Sequence, residues 1–166
     1  MAIVKASYTR SGEAAKASVR YIENRPGRDG KSIHRTLFNT DGKIERDQAY
    51  QMIDESQKGG YFFRLVVSPD PQKEDGGRDL SIREIAEKTM QALEDKFKQH
   101  LQWVGAIHAD HAPHRHVHLV AILPGKLNVQ DFAILRATAT SLALEQRRQL
   151  DLIKEARERG EEGRAW

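Results

Sequence analysis

Apolar residues along the chain fall into short runs with two different periods. Ala2–Tyr8 and Tyr61–Val67 are rich in β-branched and aromatic residues, which fit a pleated, half-buried surface, and they read as strands. Leu101–Ala109 and His116–Leu123 read as two more strands, separated by a short polar loop. Glu13–Glu23 has helical spacing through Ala14, Ala17, Tyr21 and Ile22, and stops at Arg25-Pro26-Gly27. Arg46–Lys58 reads as a helix ending before Gly59-Gly60. Between these two helices, Ile33–Phe38 and Lys43–Glu45 flank the turn signal Asn39-Thr40-Asp41-Gly42, which predicts a small hairpin. Ser81–Lys98 is the clearest helix. Ser81 and Glu84 have capping-box spacing, and Ile82, Ile85, Ala86, Thr89, Leu93 and Phe97 form one stripe. Asn128 is placed to cap a long last helix, Asn128–Arg157, with Phe132, Leu135, Ala139, Leu142, Leu150 and Ile153 in period. The mixed-charge end, 158–166, is expected to fray.

The element order mixes hairpins with helical crossovers. It predicts an α+β fold, a two-layer sandwich with a central, mainly antiparallel sheet and helices packed on it. Val104–Ile107 and Leu119–Ile122 are continuous apolar runs, so the strands that carry them are expected at the middle of the sheet. At 166 residues the chain is the size of one domain.

Composition narrows the chemistry. There is no cysteine, which excludes disulfides, thiolate metal sites and cysteine nucleophiles. No apolar run approaches the roughly 18 residues that span a bilayer, and the opening Met1-Ala-Ile-Val-Lys lacks the pattern of a secretory signal. A soluble, cytoplasmic protein with no membrane insertion is the expectation. Charge is uneven. The first 36 residues hold eight bases (Lys5, Arg10, Lys16, Arg20, Arg25, Arg28, Lys31, Arg35) against three acids (Glu13, Glu23, Asp29), although the whole chain is only +3. A basic N-terminal end suits a nucleic-acid backbone, and equally a solvated face.

Five of the seven histidines lie between His108 and His118. On a strand, alternate residues share a face, so His114, His116 and His118 point one way and Val117 and Leu119 the other, with Arg115 also on that opposite side. Imidazoles at i and i+2 suit two ligands of one metal ion, and His108 on the neighbouring strand is placed to give a third. Three neutral ligands leave open positions and an uncancelled charge, the conditions for a Lewis acid on a bound oxyanion. Asp110 is a candidate acceptor that orients an imidazole. A nucleophile is also needed. Of the four tyrosines, Tyr21 has the most basic surroundings, with Lys16, Arg20, Arg25 and Arg28 close in sequence; such a field favours phenolate and attracts phosphate. Tyr8, Tyr50 and Tyr61 read as structural. A metal on an exposed sheet face, with the Tyr21 helix crossing near it and the two longest helices behind the sheet, is the expected layout.

The run Ala106-Ile107-His108-Ala109, followed by Pro113-His114-Arg115-His116-Val117-His118-Leu119-Val120, resembles the three-histidine motif of DNA relaxases in the His-hydrophobic-His (HUH) endonuclease superfamily. The segment Ala15-Lys16-Ala17-Ser18-Val19-Arg20-Tyr21-Ile22 is similar to the one that carries the catalytic tyrosine in the mobilisation-protein branch. The resemblance implies one relaxase-like nuclease domain over residues 1–166. It implies a single catalytic tyrosine, Tyr21, and metal ligands His108, His116 and His118, with His114 as an alternative ligand and Asp110 in a supporting place. The implied cofactor is Mg2+ or Mn2+. The implied reaction is nicking and rejoining of single-stranded DNA at a plasmid transfer origin through a 5′-phosphotyrosyl link. Lys16, Arg20, Arg25, Arg28 and Lys31 would hold the DNA. Accessory DNA-binding proteins and a secretion-system coupling protein are the implied protein partners. The neighbouring readings are an HUH nuclease of replication or transposition, where the tyrosine commonly follows the histidines, and a non-enzymatic basic DNA-binding protein with an incidental metal site.

Overall fold

The structure is a computed structural model. It describes the chain except for residues 28, 32, 57–58, 110–113 and 165–166, with side chains described as far as residue 160. The elements are β1 (Ile3–Thr9), α1 (Gly12–Asn24), β2 (Leu37–Asn39), β3 (Gly42–Ile44), α2 (Arg46–Asp54), β4 (Tyr61–Ser68), α3 (Ile82–Phe97), β5 (Trp103–His108), β6 (His116–Leu123) and α4 (Val129–Arg164). The six strands form one sheet in the order β1-β4-β6-β5-β2-β3, every neighbouring pair antiparallel. The α+β fold with a central antiparallel sheet is therefore as expected, and β5 and β6 occupy its middle. The β4–α3–β5 crossover leaves one strand position open, and β6 fills it.

Helices cover both faces of the sheet, which adds a layer to the two-layer arrangement expected. The alternation of β6 shows why. Val117, Leu119, Ala121 and Leu123 join Phe63, Leu65, Val67 and Trp103 in a core with the α3 stripe and Leu135, Ala139 and Ala143 of α4. Val120, on the other face, packs with Val104, Ala106 and Phe62 against Ala15, Val19 and Ile22 of α1 and Ala49 and Ile53 of α2. Both sides of the central strands carry apolar residues, so both must be covered. Gly105 is required by close approach. A Cβ there would meet Leu119 Cδ2 at 2.7 Å and Phe38 Cζ at 3.2 Å.

Several local expectations shift. The buried stripe of α1 is Ala15, Val19 and Ile22, while Ala14 and Ala17 are exposed. The larger Val19 outweighs two methyl groups in choosing the inward face. The hairpin is shorter than expected because residues 33–36 are tied to the end of α1. Arg35 N donates to the Glu23 carbonyl at 2.8 Å, and Arg35 Nη1 to the Arg25 carbonyl at 2.8 Å. Helix α2 ends at Asp54, where the Ser56 hydroxyl donates to the Ile53 carbonyl at 2.6 Å; residues 57–58 lie outside the described chain. Ser81 accepts from Glu84 N at 3.3 Å, but the return half of the capping box is replaced by a tertiary bond: Ser81 N donates to Gln146 Oε1 of α4 at 2.8 Å. Asn128 and Asp131 cap α4 reciprocally at 2.8 and 2.7 Å. That helix continues to Arg164 rather than unwinding at 158, and its residues 151–160 are all exposed, Ile153 included, because they extend past the body they would pack on. Among the described residues no helix is long and apolar enough to cross a membrane.

Candidate active site

The register of β5 and β6 sets His108 directly opposite His116 and Ala106 opposite His118. Residues paired across an antiparallel ladder share a face, so the three imidazoles converge. Ring centroids are 4.3 Å apart for His108 and His118, 5.0 Å for His116 and His118, and 5.3 Å for His108 and His116. One nitrogen from each ring lies within 4.8 Å of the others. No carboxylate joins this group among the described residues. The trio is buried, at 0%, 6% and 3% exposure for His108, His116 and His118. This corrects the expectation of an exposed face: α1 lies over this side of the sheet and closes it.

Hydrogen bonding defines which nitrogens are available. His108 Nε2 lies 2.8 Å from the Ile22 carbonyl oxygen. That oxygen only accepts, so Nε2 carries the ring proton and Nδ1 keeps its lone pair. His108 Nδ1 and both ring nitrogens of His118 are buried with no hydrogen-bond partner. Buried polar atoms are normally paired, and leaving one unpaired costs about 1–3 kcal/mol. One such atom on each of the two adjacent rings fits a cation that the rings would ligate. Burial pushes His108 down to about 4, with Arg35, His116 and Arg25 acting in the same direction against the Ile22 bond. Burial likewise pushes His118 down to about 2, helped by His108 and His116. Both rings are therefore neutral near pH 7, the form that binds metal.

Tyr21 sits at the end of α1 beside this trio. Its half-buried ring meets His118 edge-on with centroids 6.1 Å apart. Two guanidiniums lie against it, Arg64 with Cζ 4.3 Å from the ring centroid and Arg25 at 5.5 Å. The His108–Ile22 bond ties the helix to the histidine strands one residue beyond Tyr21. The remaining tyrosines lie elsewhere. Tyr8 and Tyr61 pack on each other, and Tyr50 of α2 accepts a hydrogen bond from Arg20 Nη1 at 3.0 Å.

The other nominated residues divide. His114 is half-buried with its ring 6.1 Å from that of His116, outside the converged trio. Asp110, His111 and Arg28 lie outside the described residues. Arg25 faces Tyr21. Lys16 is turned to α2, 2.7 Å from Asp54, and Arg20 also leans on α2. Lys31 is exposed in the turn after α1, with its backbone N on Asp29 Oδ1 at 3.0 Å. Arg115 is on the opposite side as expected, bonded to Asp75.

Arg64 was not among the candidates. Its signal is the lone charge inside the apolar strand Tyr61–Ser68. It pairs with Val120, which places it on the face of His118, and its other neighbour is the exposed Ser7 of β1. Between β1, β4 and α1 a cavity of about 140 Å³ is lined by Ser7, Thr9, Ser18 and Arg64 among others. Arg64 therefore lines this cavity, together with apolar residues such as Ala15, Phe62 and Val120, and also lies against the Tyr21 ring. No protein-family model and no curated protein matches the chain.

Proposed function

We propose that this protein is a metal-dependent DNA strand transferase of the relaxase type, which nicks and rejoins single-stranded DNA through Tyr21. The observation that carries the reading is the meeting of one phenol, two guanidiniums and three converging imidazoles at one end of one sheet face. Each part matches a need of phosphodiester transesterification. The Tyr21 oxygen attacks phosphorus, the bond from phosphorus to the 3′-oxygen breaks, and the DNA 5′-phosphate becomes a phosphotyrosine. The phenolic proton leaves to solvent, and the departing 3′-oxygen gains a proton to become a hydroxyl. The 3′-hydroxyl reverses the step, since one phosphate ester has replaced another. Arg64 and Arg25, whose guanidiniums lie against the Tyr21 ring, attract the backbone phosphate to it. A Mg2+ or Mn2+ ion held by His108, His116 and His118 would supply Lewis-acid withdrawal of charge from the phosphate oxygens. The transfer origin as address, and accessory and coupling proteins as partners, belong to the same proposal.

The test uses pooled single-stranded oligonucleotides with Mn2+, followed by denaturing electrophoresis. The expected result is a covalent adduct whose DNA-bearing peptide contains Tyr21. In Tyr21→Phe the adduct is lost, a fall of at least about a thousandfold, since the nucleophile is gone, while DNA binding stays within a few-fold. An adduct formed at full yield by Tyr21→Phe removes Tyr21 from the mechanism, and the absence of any adduct with the wild-type protein removes the enzyme reading.

A further inference from the structure

The histidine strands are joined by a connection that begins after His108 and ends before His116. Residues on both sides of it are held by a single loop, Pro69–Leu80. Arg78 Nη2 donates to the carbonyl of Ala109, the residue after His108, at 2.7 Å. Arg115, the residue before His116, puts Nε and Nη2 on the two carboxylate oxygens of Asp75, each at 2.8 Å, and Nη2 also on the Leu80 carbonyl at 2.9 Å. The loop is itself fixed from within. The Asp70 carboxylate accepts from Gln72 N and Lys73 N, and its carbonyl accepts from Asp75 N at 2.8 Å. Asp75 is 4% exposed and also accepts from Leu80 N at 3.2 Å.

We infer that this loop is a positioning clamp for the metal centre, with Arg78 and Asp75 as positioning residues that act through Ala109 and Arg115. The inference rests on the reading of His108, His116 and His118 as metal ligands. Two ligands sit at strand ends, the part of a ladder that opens most readily. A grip on the adjoining residue of each strand keeps those ends closed together, so the rings stay converged before a cation arrives. These bonds act on Ala109 and Arg115, the residues adjoining the imidazoles, so the effect falls on ligand geometry and leaves the ligands themselves intact.

Arg78 is exposed, so Arg78→Ala separates positioning from folding. Mn2+ binding is measured by electron paramagnetic resonance of the free ion, and the thermal midpoint is measured in EDTA. Arg78→Ala is expected to bind Mn2+ about tenfold more weakly with an unchanged midpoint in EDTA, and Arg78→Lys, which keeps one donor, to recover most of the affinity. Any nuclease activity should need correspondingly more Mn2+ for half-maximal rate and return to the wild-type rate at saturating Mn2+. Asp75→Asn is the second arm and is expected to weaken Mn2+ binding wherever it remains folded. Wild-type affinity in Arg78→Ala overturns the clamp. A wild-type protein that binds no Mn2+ overturns the metal centre itself, which is a different outcome.

Discussion

On one face of β6, Val117, Leu119, Ala121 and Leu123 are buried in the larger apolar core. On the other, His116 and His118 are almost as deeply buried, yet two ring nitrogens of His118 and one of the adjacent His108 find no partner there. The same strand therefore carries a face of apolar packing and a face that holds buried nitrogens without a hydrogen-bond partner. The first stabilises the sheet through the transfer and contact terms of a packed core. The second draws on that stability, because it holds polar atoms out of water at a cost. The comparison separates residues that build the fold from residues that the fold holds ready.

Leu119→Ala is the strongest way to probe the difference. It is expected to cost about 4 kcal/mol in urea unfolding, as fully buried leucines do, while the folded fraction still binds Mn2+. A loss below about 1 kcal/mol would show that this face is not close-packed. Acid is expected to have the next largest effect. His108 and His118 titrate near 4 and 2 in the folded chain, against an ordinary value of 6.5. Between about pH 6.5 and pH 4 the unfolded chain takes up protons that the folded chain refuses, so stability falls as pH falls through that window. In EDTA the loss from pH 7.5 to pH 5.5 should be about 2–3 kcal/mol for the two rings together; a flat profile would mean that the rings protonate freely in the fold. His118→Leu should give the smallest change and the opposite sign. Exchanging unpartnered nitrogens for an apolar group should leave stability in EDTA unchanged or raised by about 1–2 kcal/mol, with Mn2+ binding lost. A cost as large as that of Leu119→Ala would erase the distinction between the faces.

The histidine arrangement was legible because the strand period of two decides direction. Once His116–Leu123 is a strand, His116 and His118 must share a face, and antiparallel pairing brings His108 to them. The Tyr21 helix was legible in extent, but its inward face was misjudged, since two alanines give a weak stripe beside Val19. Charge counting along the chain was a poorer guide. Lys16 and Arg20 are near Tyr21 in sequence but lean on Asp54 and Tyr50, whereas Arg64, forty-three residues further on, lies against its ring. Flexible side chains choose partners from the assembled surface, which local sequence does not contain. The same reason explains Ser81, whose backbone donor went to Gln146 of another helix and left the local box half made.

The bond from His108 Nε2 to the Ile22 carbonyl has one more consequence. Its acceptor is main chain, so no ordinary exchange of the side chain at position 22 removes it. Among the contacts that join α1 to the histidine strands, this bond depends on the side chain of a single residue, and only from that residue's end can it be cut. A designer who wished to cut that bond would have to alter His108, one of the three converging imidazoles.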